Sequence, residues 1–357
     1  MAVFCVLLFV PIMMQHFVVK KFHMDYGKKN KRALAFFFLF FTVLVMFRHE
    51  SIGNDTRNYI NIFNNISKMN WEYVGKYPLE KGFSYFYKII SMFTDQPQVA
   101  LVVTAIITSA MIYPTYKRLC VDASLSIVLY VTMSTFAMSF SGIRQMLAVS
   151  IGFLAYECTR RKKWILFILF LILAITFHVS AFMIAFMYPL YHARITRKWL
   201  IAVVPTLVLM FIFNEQIFVS LGLLLERFTE YDASITQTGA FTMLILFALF
   251  AVFSFIIPDE ASLDQETIGL RNFLLLVVAL QMFAPLHTIA MRMNYYYIIF
   301  IPLLLPKIIA ARSKRWAQVA IVSRYVMLGF FLIYFFVNAN GEGNLNVFPY
   351  RFFWEGA

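Results

Sequence analysis

The stretch Arg160–Lys198, RRKKWILFILFLILAITFHVSAFMIAFMYPLYHARITRK, decides how this chain is read. Basic clusters flank an uncharged run, 164–191, that would make either one helix of about 42 Å or two short arms. Lys and Arg are retained on the cytoplasmic side of a membrane. One crossing would put one cluster on the wrong side and invert every later loop. The run is therefore predicted as a hairpin, 164–177 and 179–191, with His178 at its tip. Each arm is about 21 Å long, short of a hydrocarbon core of about 30 Å, so the tip is expected to stop within the outer leaflet and to place His178 in a recess.

The rest of the chain has the same character. Of 357 residues, 61% are hydrophobic and only 14% are charged, and the mean hydropathy is +0.74. That composition excludes a soluble protein. The net charge of +13 is carried in short clusters between apolar runs, so it reports topology and does not indicate nucleic-acid binding. Three cysteines, Cys5, Cys120 and Cys158, stand in unrelated contexts and suggest neither a disulfide framework nor a metal site.

Apolar runs at 2–19, 33–47, 97–116, 124–140, 143–158, 164–177, 179–191, 199–213, 240–257, 271–286, 294–310 and 316–337 predict about twelve transmembrane helices in one all-α polytopic domain covering 1–357. The first run lacks the basic flank and cleavage site of a signal peptide and is expected to stay as a helix. It precedes Lys20, Lys21, Lys28, Lys29, Lys31 and Arg32, which places the N-terminus outside. Alternate connections then hold 20 of the 31 Lys and Arg. The exception is the acidic loop 258–270, and acidic residues weigh little in this rule. External loops are expected at 48–96 and 214–239, with an external C-terminal tail, 338–357. Within the first loop, Gly82–Phe93 is predicted to be an interfacial helix.

Charged groups at helix ends near membrane depth are costly and mark function by default. Those predicted on the outer face are Arg48, Asp55, Glu80, Arg144, His178 and Arg292. Each also has an ordinary reading: Arg48 as a helix-end anchor, Asp55 as a helix cap, Glu80 as a solvated loop residue, Arg292 as an interfacial charge and His178 as a hydrogen-bonded structural histidine. Together they suit one chemistry. Arginines bind phosphate through a planar fork and keep their charge when desolvated. A sugar on a polyprenyl pyrophosphate already has a good leaving group, so cations and one base suffice. No Asp-x-Asp or helical His/carboxylate spacing appears, so neither metal nor other cofactor is expected.

These residues carry a resemblance. Arg48 with Gly53-x-Asp55-Thr56-x-x-Tyr59-x-x-x-Phe63, Glu80-x-Gly82, Gly142-Ile143-Arg144-Gln145-x-x-Ala148, Phe177-His178-x-Ser180-Ala181, Arg292 with Tyr296, and a closing Pro349-Tyr350 resemble the EpsG family of Wzy-like polysaccharide polymerases over nearly the whole chain. The resemblance implies a bacterial inner-membrane glycosyltransferase with a helix arrangement similar to GT-C enzymes. Such an enzyme joins polyprenyl-pyrophosphate-linked oligosaccharide repeat units, donor and acceptor, on the outer face, alongside a flippase and a chain-length regulator. It makes Arg48, Arg144 and Arg292 candidates for the pyrophosphate. Asp55 becomes the first candidate base, His178 the second, and Glu80 a group orienting acceptor or arginine. Tyr59, Gln145 and Tyr296 become candidate sugar contacts; the tyrosines and the tail aromatics Phe348, Tyr350, Phe352, Phe353 and Trp354 could also stack on sugar, although an interfacial aromatic belt is the favoured explanation for them. A lipid-linked oligosaccharide flippase or a membrane O-acyltransferase acting on polysaccharide are the rival readings. Transporters favour polar groups at the midplane on broken, repeated helices.

Overall fold

Apolar runs bounded by charge, Gly or Pro become helices because no other regular structure satisfies every backbone group within a single segment in lipid. The computed structural model describes residues 1–16, 26–224, 238–339 and 345–355. Among these there is no β-strand. In order, the helices are α1 (Ala2–His16), α2 (Tyr26–Met46), α3 (Thr56–Lys68), α4 (Trp71–Val74), α5 (Lys81–Ser91), α6 (Pro97–Leu119), α7 (Ala123–Thr132), α8 (Ser134–Ser141), α9 (Ile143–Arg160) and α10 (Trp164–Phe177). A 3-10 helix, Val179–Phe186, leads to α11 (Met187–His192), α12 (Leu200–Ile212), α13 (Asn214–Leu224) and α14 (Thr238–Ile256). The series ends with α15 (Gln265–Gln281), α16 (Thr288–Ile298), α17 (Ile301–Ala310) and α18 (Ala317–Val337). Lys20, Lys21, the end of the first apolar run, half of the 214–239 loop and part of the tail lie outside the described residues.

Among the described residues three helices are long and apolar enough to cross a membrane, and up to six spans result if each of three bent pairs counts as one. The breaks have local causes. The run 124–140, expected as one helix, bends by 57° between α7 and α8. Met133 is extended there, and the Thr132 hydroxyl bonds back to the Val128 carbonyl at 2.8 Å, a geometry that bends helices. The run 294–310 is bent by 43° where Pro302 stands in the first turn of α17, since a proline at that point ends the preceding helix. The predicted break at His178 is present, with the residue extended at φ −158°, ψ 124°. Its second arm differs from the expected α-helix by starting with eight residues of 3-10 helix.

The chain divides into two units, residues 1–185 with 322–357, and residues 186–321. In the second, α15 packs against α11, α14 and α16. The acidic loop that ran against the charge pattern is explained here, because its carboxylates are engaged by the protein. Glu260 takes two hydrogen bonds from the buried Arg271, at 2.7 and 2.9 Å, while Asp259 and Asp264 cap the segments that follow them.

In the first unit α2 packs on α1 and α6, and α9 on α6 and α10. At one end α3 and α5 form an amphipathic pair over α6 and α9, burying Phe63, Ile66, Phe83 and Tyr87 against Leu101, Ile143 and Leu147. The stretch expected as an interfacial helix, Gly82–Phe93, forms the helix α5, Lys81–Ser91. Its Lys88 bonds to the Ser67 carbonyl at 2.9 Å, and Ile89, Met92 and Phe93 remain exposed. The other end is tied by Asp122, which accepts from Gln15, from Arg324 of α18 and from its own helix at Leu125.

Gly53 fixes how the α2–α3 connection meets the α8–α9 junction. Its φ is +82°, and a Cβ there would lie 2.3 Å from the Phe140 carbonyl oxygen. Gly53→Ala is expected to cost about 1–2 kcal/mol from backbone conformation alone, with the clash in addition. In detergent, the melting temperature of this variant should fall by roughly 4 °C or more relative to the parent.

Candidate functional site

Two carboxylates sit where helix caps are expected and do not cap. Asp55 is at the N-cap of α3 and Glu80 at the N-cap of α5, yet neither side chain bonds its own helix. Such a cap contributes about 1 kcal/mol, which both positions forgo. The Asp55 carboxylate accepts from the Ser141 hydroxyl at 3.1 Å, and the Asp55 amide donates back to that oxygen at 3.3 Å. Glu80 pairs with Arg144 through one oxygen and takes the Val179 amide on the other at 3.2 Å. The carboxylates therefore address the α8–α9 junction and the His178 break.

Arg144 stands in the first turn of α9, with Glu80 on one side and the Tyr59 hydroxyl facing its Nε–H at 3.5 Å. The side chains of Arg144 and Glu80 are 23% and 18% exposed, so the pair is screened but open to a ligand. Burial raises the Tyr59 pKa, against the lowering effect of Arg144, which keeps the phenol neutral. Glu80 is thus bonded on both oxygens, one to Arg144 and one to the Val179 amide.

Arg48 follows the end of α2 and is 1% exposed. Its Nε donates to the Thr56 hydroxyl at 3.2 Å, and it also bonds the Val45 carbonyl at the α2 terminus, where the helix dipole favours a cation. Thr56 in turn lies 3.1 Å from the Phe140 carbonyl. The tail locks this corner. Arg48 bridges Phe352, the His49 amide donates to Arg351, and the Tyr350 hydroxyl donates to Leu44 at 2.6 Å. Desolvation lowers the Arg48 pKa to about 10, so it is still a cation at neutral pH. Among the described residues no carboxylate pairs with it, and its Nη2 has no hydrogen-bond partner.

At the break, His178 Nδ1 accepts from the Ser180 amide at 3.3 Å and lies 2.7 Å from the Ser180 hydroxyl. An accepting Nδ1 puts the ring proton of the neutral imidazole on Nε2. His178 is therefore arranged to hold the turn and donate, whereas the partly exposed Asp55 carboxylate is arranged to accept.

Arg48, Asp55, Tyr59, Glu80, Arg144 and His178 are thus gathered in the first unit, scattered as they are over 48–178. Gln145 is buried on α9 beside them. Arg292 and Tyr296 lie on α16 of the second unit, the first exposed and the second buried. Of the tail aromatics, Phe348 packs on Phe4 with ring centroids 4.3 Å apart and Phe352 stacks on Trp354, so these rings face protein neighbours. Three members of the cluster were not among the site candidates. Ser141 and Thr56 join its halves, and Tyr87, seven residues after Glu80 on the buried face of α5, has a buried hydroxyl without a partner. The heptad spacing from Glu80 was the only sequence signal for Tyr87.

No curated protein and no solved structure matches this chain. A family model does, over residues 31–352, which takes in every motif of the cluster and both residues on α16. The extent of that match establishes that the chain belongs to the EpsG family.

Proposed function

We propose that this protein is a membrane glycosyltransferase that polymerises polyprenyl-pyrophosphate-linked oligosaccharide repeat units into a surface polysaccharide at the outer face of the bacterial inner membrane. One observation carries the reading: α3 links the three groups, with Arg48 bonded to Thr56, Arg144 facing Tyr59 and the partly exposed, non-capping Asp55 at its N-terminus. Family membership supports a polymerase-type activity. In this reading twelve crossings in a GT-C-like arrangement put both termini outside, and a flippase and a chain-length regulator act in the same pathway. Residues expected on the outer face also lie close together in the first unit: Arg48, Asp55, Glu80, Arg144 and the tail.

Asp55 takes the proton of an acceptor hydroxyl, whose oxygen attacks the anomeric carbon of the donor sugar. The bond from that carbon to the pyrophosphate oxygen breaks, and the polyprenyl pyrophosphate leaves with the electron pair, its charge held by Arg48 and Arg144. Arg292 is proposed as a further ligand of the pyrophosphate, and Tyr59, Gln145 and Tyr296 as contacts to sugar. Glu80 fixes Arg144, and His178 fixes the turn that supplies the Val179 amide to Glu80. No metal takes part in this scheme. Flipping alone would not need a base beside the cations, and an acyl transfer would need a route for a cytoplasmic acyl donor.

Arg144→Lys should lower polymer formation at least tenfold at unchanged membrane abundance, because an ammonium cannot keep Glu80 and a phosphate in one plane. Arg312→Lys, in the 311–315 connection, should leave polymer unchanged. Reconstituted protein supplied with lipid-linked repeat units gives the measurement, and equal activity of the Arg144 variant and parent would reduce Arg144 to an anchor.

Asp55→Asn retains shape and loses the proton acceptor, so chain extension should fall by about two orders of magnitude or more while donor binding stays within twofold. His178→Gln should cost less than tenfold. The reverse ranking, with activity falling as pH drops through about 6.5, would transfer the base to His178.

Reporter fusions test the orientation: a fusion after Glu355 should report an extracytoplasmic end, and a cytoplasmic signal would invert the whole scheme.

A further inference from the structure

The stretch joining α3 to α5 carries aromatic rings that take no part in the Glu80–Arg144 pair. Trp71 and Tyr73 stand on α4 and Tyr85 on α5, and they are 45%, 50% and 38% exposed. Rings of this size gain free energy when covered, so three exposed together call for an occupant or a membrane. Two of them are held in one orientation. The Trp71 and Tyr85 rings are near parallel, with planes 16° apart and centroids 6.3 Å apart. The Tyr85 hydroxyl lies against Gly75, where a Cβ would approach it to 2.8 Å.

The exposed stripe of α5 changes character along its length. Lys81, Tyr85, Ile89 and Met92 recur at the helical repeat, and only the last two, followed by Phe93, make an apolar end suited to lipid. The chain neighbours of Trp71 and Tyr85 are different: Asn70, Glu72, Lys76 and Lys81 are all exposed and polar. Lys76 also lies 5.2 Å from the centre of the Tyr73 ring. An aromatic surface with a polar rim suits a saccharide, because the CH face of a pyranose covers the ring while its hydroxyls bond the rim. Hydrocarbon tails leave such a rim unsatisfied. The position agrees: Tyr85 follows Glu80 on the same helix by a length of about 7.5 Å, so a saccharide reacting at Arg144 reaches it within a few sugar units.

We propose that Trp71 and Tyr85 form a stacking platform for the polysaccharide already joined, and that the platform sets polymer length by holding this strand beside the reaction site. The identity of the occupant rests on the polymerase reading. A strand bound at two places stays at high effective concentration after one end lets go, so it is extended again before it escapes.

The experiment uses the full-length protein in nanodiscs, supplied with lipid-linked repeat units and read for the length of the product ladder and the rate of the first coupling. Trp71→Ala should shorten the mean chain about threefold or more, well beyond any fall in the first coupling. Trp71→Phe should keep most of the length, whereas Trp71→Leu, apolar but without a ring face, should behave as Trp71→Ala does. Gly75→Ala meets only the tip of the Tyr85 side chain, so it should fold, displace that ring and shorten the ladder as well. Ile89→Ala, at the apolar end of α5, should leave the ladder unchanged. A parent-like ladder from Trp71→Leu would make Trp71 a bilayer anchor, and equal falls in length and first coupling in Trp71→Ala would make it a structural part of the α4 turn. Either result overturns the platform. Identical ladders from parent and Trp71→Ala would dismiss the platform and keep the polymerase. A parent that makes no polymer would dismiss the polymerase reading, and a microarray of bacterial surface polysaccharides then decides the platform. It stands if the parent binds an arrayed glycan and Trp71→Ala binds it about tenfold more weakly, and it falls if the two bind alike or the parent binds none.

Discussion

The ion pair between Glu80 and Arg144 joins the start of α5 to the first turn of α9 and, through the Val179 amide, to the turn after α10. A guanidinium in this half-buried position cannot shed its charge, so it has to be held by an acceptor. Once Glu80 supplies that acceptor, the α3–α5 pair must close over α6 and α9, because Tyr59 and Glu80 both address the same arginine. The hydrophobic contacts of Phe63, Phe83 and Tyr87 follow the same closure. Removing one partner of such a pair typically costs about 3–5 kcal/mol when fully buried, and less at the exposure found here.

The two acidic residues of the cluster divide the labour through their partners. Glu80 has both oxygens engaged, one on a cation and one on an amide, and so acts as a fixture. Asp55 is bonded to a single serine hydroxyl and keeps acceptor capacity. His178 has its accepting nitrogen turned into its own chain. These bonds are what favours Asp55 over Glu80 and His178 as the base in the proposed reaction, since the residue types alone permit either role.

The buried arginines make a similar contrast. Arg271 in the second unit has a bidentate carboxylate and a phenyl ring, Phe255, 4.0 Å beneath its guanidinium, and it serves to tie an acidic loop to a helix. Arg48 has no such match, yet backbone and side-chain contacts with the tail hold its corner in place. A structural arginine would be expected to resemble the first.

That the chain is a helical membrane protein was legible in its amino-acid pattern, because apolar runs bounded by charge leave few other outcomes. The same pattern located most helix ends to within a few residues, placed the break at His178 and carried the motifs of the family, each of which is local. Packing chose the pairings: Glu80 with Arg144, Asp55 with Ser141, Arg48 with Thr56 and the tail, Glu260 with Arg271. Propensity gives Asp55 as a cap and Glu80 as a solvated loop residue, and only the approach of α8 and α9 offers their carboxylates the partners Ser141 and Arg144. The bend at Met133 lacked a Gly or Pro marker, and the 3-10 helix after His178 has the composition of an ordinary apolar span. Periodicity reports which face of a segment is apolar, whereas a partner distant in sequence is fixed by the whole packing of the unit, and no local pattern records it.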